Sequence, residues 1–272
     1  MSDFQSAHRP KPQLSLQYLG QEGFLIQTDG LSILCDPYLS DYVDRNCSSP
    51  EVAWIRRYPV PVQPESLNDI DYVFCSHDHA DHTDPDTIAI LARVNPRAQF
   101  IGPPPVVRKF RQIGIPADRI RQAEAGKEIL LAEGCTVRPV PAAHEELHPD
   151  AQGCFAEVGY RFTFGSVTLF HAGDCCIYDG LVEQLGTVDI ALLPINGRDY
   201  FRLHHDIIGN MDGREAVELA GRIGARLLVP MHFDLYAVNG CSAASFVSQM
   251  EESGTRIPYH VFQPGERYVY AE

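Results

Sequence analysis

The stretch Ser76-His77-Asp78-His79-Ala80-Asp81-His82 (SHDHADH) places three histidines and two aspartates in seven positions, in a chain with eleven histidines among 272 residues. It follows directly on the apolar run Ile70–Cys75, which reads as a buried strand. Imidazole suits zinc, iron and manganese, and carboxylates add charge and hard oxygen donors, so the cluster reads as metal-binding. Its place just past a strand adds to that reading, because the crevice beyond the carboxyl ends of strands is where α/β sheets hold ligands.

One loop cannot complete two metal positions, and three other predicted strand ends carry further ligand-type residues. His144 follows CTVRPVPAA, Asp174 follows SVTLFHAG, and His232 follows ARLLVPM. His148 rivals His144 four residues on, and His171 lies inside its strand, where a core role suits it better. A solvated histidine-rich loop or a closed structural site would not explain the recurrence at strand ends.

Outward from this stretch the pattern is α/β. LSLQYLGQEGFLIQTDGLSILCDPYL reads as three strands with glycine-bearing turns, Asp29-Gly30 among them. Residues 40–66 are irregular, proline-rich and hold the only tryptophan, Trp54, which suggests a loop or lid. A helix is expected over DPDTIAILARV with Pro85 in its first turn, then QFIGP and VVRKFRQIG. EILLAE, CTVRPVP, FAEVGYRFTF and SVTLFHAG follow as consecutive strands. VDIALLPI, a polar loop over 196–210, a helix opened by Asp212 and Glu215, the strand ARLLVPM, a helix near 243–252 and two short strands complete the chain. This order predicts one domain over 1–272, with a two-sheet core flanked by helices.

Composition sets limits. The formal net charge is −14, which argues against nucleic acid as a bulk partner while leaving a small anionic substrate open. No apolar stretch approaches the ~20 residues of a membrane span. Residues 1–13 read as a flexible polar lead-in without the apolar core of a signal peptide. The eight cysteines are scattered without a CxxC pair, consistent with reduced thiols and a cytoplasmic protein. A homo-oligomer is compatible with all of this.

HxHxDH at His77–His82, followed in order by His144, Asp174 and His232, resembles the metallo-β-lactamase superfamily across nearly the whole chain. The resemblance implies a four-layer αββα sandwich with a dinuclear centre at one edge. His77, His79 and His144 would then hold the first metal, and Asp81, His82 and His232 the second, with Asp174 bridging. Asp36, in LCDPYL, would hydrogen-bond the ligands from behind. YLGQEGFLIQTDG…ILCDPYLSD, PINGRD, GNM and PMHFDLY are similar to the ascorbate-6-phosphate lactonase group of that superfamily. That likeness implies opening of a lactone or ester of a phosphorylated sugar acid, with two zinc or manganese ions, iron being a third choice.

Such a pair lowers the pKa of water toward ~7 and supplies a bridging hydroxide as nucleophile, and Asp81 and Asp174 would serve catalysis, Asp174 by moving a proton. Two divalent ions against Asp81, Asp174 and hydroxide would leave the site at about +1. Asn196, Arg198, Arg202 and His205, on the loop after VDIALLPI, are candidate substrate contacts, because arginine grips phosphate well; an incidental solvated loop is the alternative. Phosphodiester or nuclease chemistry at the same site, and a metal-dependent sugar-phosphate-binding protein without turnover, are the competing functions.

Overall fold

A computed structural model describes residues 14–28 and 30–271; the lead-in 1–13 and Asp29 of the expected hairpin lie outside them. In chain order the strands are β1 Leu14–Gly20, β2 Gly23–Thr28, β3 Leu31–Cys35, β4 Tyr72–Phe74, β5 Gln99–Gly102, β6 Ile120–Gln122 and β7 Ile129–Ala132. They continue with β8 Cys135–Pro141, β9 Val158–Phe164, β10 Val167–His171, β11 Ile190–Pro194, β12 Leu227–Met231 and β13 Arg267–Tyr270. The α-helices are α1 Tyr42–Asn46, α2 Pro85–Val94, α3 Pro104–Ile113, α4 Leu181–Leu185, α5 Tyr200–Leu203, α6 Gly213–Arg222 and α7 Ala243–Ser253.

The strands form two mixed sheets, β13-β1-β2-β3-β4-β5-β6 and β12-β11-β10-β9-β8-β7. β3 to β6 run parallel in the first sheet, and β10 to β12 in the second. β8 shares their direction, since two antiparallel steps through β9 separate it from β10. The ends of β8, β10, β11 and β12 therefore fall on one edge.

Alternating apolar side chains from both sheets make the core. Phe74 of the first sheet meets Tyr160 and Phe162 of the second at centroid separations of 5.0 and 5.2 Å. Burying each such ring is worth ~2–3 kcal/mol. Across the same interface Tyr160 donates its hydroxyl to the Cys75 carbonyl at 2.7 Å, tying the second sheet to the residue that leads into the histidine loop. A second apolar cluster lies beneath α2 and α3, and α6 packs on α7, β11 and β12. This is the two-sheet α/β sandwich expected, with helices on both outer faces.

Local signals account for the helices that matter at the site. Asp84 caps α2 with its side chain on the Asp86 N–H, and Pro85 occupies the first turn. Asp212 and Glu215 form the reciprocal capping box of α6. Three expectations differ. The polar loop 196–210 contains the short helix α5, and residues 40–66 contain α1. The chain ends on one strand, β13, since Tyr259 contributes only an isolated bridge to Leu228. No helix among the described residues is long and apolar enough to cross a membrane, and all eight cysteines are free.

Candidate metal centre

The strand ends of the two sheets bring the ligand-type residues together. His77, His79, His144 and Asp174 offer donor atoms all within 4.8 Å of one another, and a second group, Glu22, Asp81, His82 and His232, does the same. Asp174 lies between them: Oδ1 is 3.3 Å from His82 Nε2, while Oδ2 is 3.4 Å from both His144 Nε2 and His232 Nε2. The imidazoles of His77, His79 and His144 form a triangle with ring centroids 4.5, 5.1 and 5.1 Å apart.

The supports come from the same strand ends. Asp36, 1% exposed, accepts from the Ser76 N–H at 2.7 Å and the Ser76 hydroxyl at 2.6 Å, and pairs with His82 Nδ1 at 2.8 Å. These contacts turn Nε2 of His82 toward the cluster. Gln21 donates its side-chain amide to Asp81 Oδ2 at 3.0 Å, and its carbonyl accepts from the His232 N–H at 2.8 Å. Gln21, Asp36 and His232 have φ values of 58°, 41° and 55°, a left-handed conformation that non-glycine residues adopt where the surrounding structure imposes it. His171 Nε2 meets the Glu22 carbonyl at 2.8 Å and Nδ1 accepts from the Gly173 N–H, so it is a satisfied core histidine. His148 pairs with Glu157 at the surface, away from either group.

Electrostatics separates the two groups. Burial holds His77 and His144 below the ordinary imidazole value, His144 at about 4, and partial desolvation at the cavity floor lowers the more exposed His79, so these three are neutral donors at pH 7. Burial also opposes charge on His82 and His232, but the carboxylates around them, Glu22 and Asp174 foremost, outweigh it and raise both. Burial would raise Asp174 too, yet His232, His82 and His144 hold it well below the carboxylate range.

These residues fit bound cations. Glu22 Oε2, His77 Nε2, His82 Nε2 and Asp174 Oδ1 are buried at the cluster without a well-formed hydrogen bond. Leaving so many polar atoms unsatisfied is costly, and metal coordination satisfies donors of this kind. Among the described residues no lysine or arginine pairs with Glu22, Asp36, Asp81 or Asp174; the imidazoles of His82, His144 and His232 face them instead, as they would around bound cations.

A cavity of about 260 Å³ opens on the cluster, floored by His79, Asp81, His144, Asp174 and His232. Val43, Cys47 and Trp54 of segment 40–66 form one wall, and Asp206, Ile207, Ile208 and Asn239 the other. A larger hollow of about 640 Å³ near Asp234 touches neither ligand group, so size does not mark the site. Segment 40–66 is fastened rather than loose: Tyr38 and Tyr236 share a hydroxyl contact of 2.7 Å, and Tyr236 donates to Asp44 at 2.7 Å.

The expected substrate contacts need correction. Arg198 forks onto Glu215 and donates to the Asn210 carbonyl at 2.7 Å. Arg202 is buried and donates to the carbonyls of Asn196 and Gly240 at 2.5 and 2.9 Å. His205 stacks on Phe201 at the surface. Asn196 sits behind the wall, donating to Asn239 at 3.0 Å. None of the four lines the cavity, because each polar group already serves to hold loop 196–210 in place.

Glu22 is the residue that sequence reasoning missed. It lies in the β1–β2 turn, fully buried, with Oε1 2.5 Å from His82 Nε2 and 3.0 Å from His232 Nε2. Its added negative charge removes the positive balance expected from Asp81 and Asp174 alone. The only signal available was an acidic residue enclosed by two apolar strands in Leu19-Gly20-Gln21-Glu22-Gly23-Phe24.

The family model described as the Beta-lactamase superfamily domain matches residues 32–233. A UPF0173 protein of Pyrococcus abyssi is 30% identical over 238 residues, covering 88% of this chain and 91% of its own. A UPF0173 metal-dependent hydrolase of Hyperthermus butylicus is 26% identical over 260 residues, covering 94% and 99%. Among solved structures, the isothiocyanate hydrolase from Delia radicum gut bacteria superposes with a TM-score of 0.73 at 19% identity, covering 95% of this chain and 100% of its own, a likeness of fold. The chain thus belongs to the UPF0173 family of metal-dependent hydrolases within the metallo-β-lactamase superfamily.

Proposed function

We propose that the chain hydrolyses a lactone or ester bond in a small substrate, with its reacting carbonyl held over the two ligand groups. The observation that carries this reading is the pair of donor sets with Asp174 between them, at the floor of a cavity walled in part by Val43, Trp54, Ile207 and Ile208. Two divalent ions there would lower the pKa of water and polarise a carbonyl. His77, His79, His144 and Asp174 would hold the first, and Asp81, His82 and His232 the second with Asp174. Zinc, manganese and iron all suit donors of this kind.

The protein's own groups supply the rest. Burial pushes the Asp81 carboxyl up, but His82 and His232 more than offset it, leaving it ionised and able to take a proton at Oδ. Gln21 orients it through Oδ2. Asp81 then returns the proton to the departing alkoxide, with Asp174 as the deeper alternative. Trp54, Val43, Ile207 and Ile208 exclude water from the bond being cleaved.

The likeness to ascorbate-6-phosphate lactonases supports the lactone part of this reading. The phosphate part has weaker support, since no arginine or lysine is among the lining residues. The substrate favoured is an uncharged lactone or ester with an apolar portion. The test is turnover by metal-replete protein on simple lactones, short-chain esters, a sugar-acid phosphate lactone and a phosphodiester. Lactone or ester hydrolysis that disappears in Asp81→Asn is expected. Cleavage of the phosphodiester alone, or tight binding without turnover, would contradict it.

A further inference from the structure

The β1–β2 turn, Gly20-Gln21-Glu22-Gly23, is built into the metal centre more fully than a hairpin connection requires. Gly20 has φ +93°, and a Cβ there would lie 2.6 Å from the Tyr58 hydroxyl, so the turn is pressed tightly inward. The Gln21 carbonyl accepts from the Tyr18 hydroxyl at 2.9 Å and the His232 N–H at 2.8 Å, and the Glu22 carbonyl faces His171 Nε2 at 2.8 Å. The turn is fixed on all sides, and it delivers one carboxylate that is 0% exposed, with Oε1 set against Nε2 of His82 and His232 and Oε2 without a partner. A buried carboxylate in that state is expensive unless a cation meets it.

We infer that Glu22 is a ligand of the second metal position and makes the two positions chemically unequal. This rests on the dinuclear reading above and extends it. The first position has three imidazoles and one carboxylate, a four-donor set suited to zinc. The second has the carboxylates of Glu22, Asp81 and Asp174 with two imidazoles, His82 and His232. Five donors rich in oxygen suit a harder ion of higher coordination number, and manganese(II) answers that description better than zinc. The centre is therefore a zinc–manganese pair, with Glu22 selecting the manganese.

The test uses full-length protein stripped with chelator, given one equivalent of zinc and then titrated with manganese. Electron paramagnetic resonance reports free manganese, and elemental analysis reports both metals. Wild type is expected to take up about one equivalent of manganese while keeping its zinc. Glu22→Gln should weaken manganese uptake by at least ~10-fold and leave zinc in place, since even an outer hydrogen-bond partner of a ligand is worth 10- to 100-fold. Should Glu22→Gln not fold, Glu22→Asp, one methylene shorter, should show the same selective weakening. Unchanged manganese affinity in these variants overturns the role of Glu22 while leaving a dinuclear centre intact. Wild type that binds no second ion of either kind overturns this inference and the dinuclear reading together.

Discussion

Replacing Asp36 with asparagine separates its hydrogen bonding from its backbone. Asparagine tolerates the φ of 41° nearly as well as aspartate, so strain is unchanged. The carboxylate now accepts three hydrogen bonds, from the Ser76 N–H, the Ser76 hydroxyl and His82 Nδ1. An amide keeps one accepting oxygen, which can still serve the Ser76 N–H. Its NH₂ then faces the hydroxyl and the imidazole, and His82 must move its proton from Nδ1 to Nε2, the atom aimed at the cluster. Loss of one or two charge-assisted bonds in a buried site costs ~2–4 kcal/mol, read by urea unfolding of metal-free protein. Affinity at the second position should fall 10- to 100-fold, or ~1.4–2.7 kcal/mol, read by chelator competition. Asp36→Ala should cost a further ~1–2 kcal/mol, because alanine resists a left-handed φ. If Asp36→Asn unfolds and binds metal as wild type does, Asp36 only forms a turn and the bracing account is wrong.

Gly173→Ala should destabilise by ~2–4 kcal/mol in denaturant unfolding, because φ is +59° and the new Cβ would sit 2.6 Å from Ser76 Cβ. Metal affinity should fall with it, since Ser76 holds Asp36. Arg198→Ala should lower stability by ~1–2 kcal/mol and leave KM within about twofold, through loss of the Asn210 carbonyl bond and a part-exposed ion pair. Burial raises Glu215, but Arg198 and its capping contacts leave it below the ordinary carboxylate value. The pair's contribution is therefore present at neutral pH and fades as pH falls through that depressed value, so the gap between wild type and variant should narrow in acid to the part owed to the Asn210 carbonyl bond. Trp54→Ala should raise KM by roughly tenfold with unchanged metal content, the scale of losing an apolar contact of ~1.4 kcal/mol.

The parts of the fold and site legible in the sequence were those with a local physical signature. Apolar runs ending in ligand-type residues mark strands at a shared edge, and SHDHADH announces its chemistry because five of its seven residues ionise. The capping box at Asp212 and Glu215 marks α6 for the same reason: its partners are three residues apart. Helices α1, α4 and α5 are four or five residues long, too short to show a 3.6-residue period or to persist without tertiary support. Arg198 and Arg202 looked like anion binders because residue type says nothing of where a long side chain points. Only the fold shows both committed to neighbouring groups. Glu22 was hidden for the opposite reason: between glycines in a hairpin turn, an acidic residue is expected to face water, and burial against His82 and His232 arises only when the two sheets close.

The central claim, that His77 to His82, His144, Asp174 and His232 form a two-metal hydrolytic centre, is tested most directly by metal content per chain. Elemental analysis of protein purified without chelator or metal-affinity tag should give about two equivalents of divalent transition metal, dropping in His144→Ala and in Asp81→Ala. A chain that carries no metal, and takes up none on reconstitution, would contradict the account.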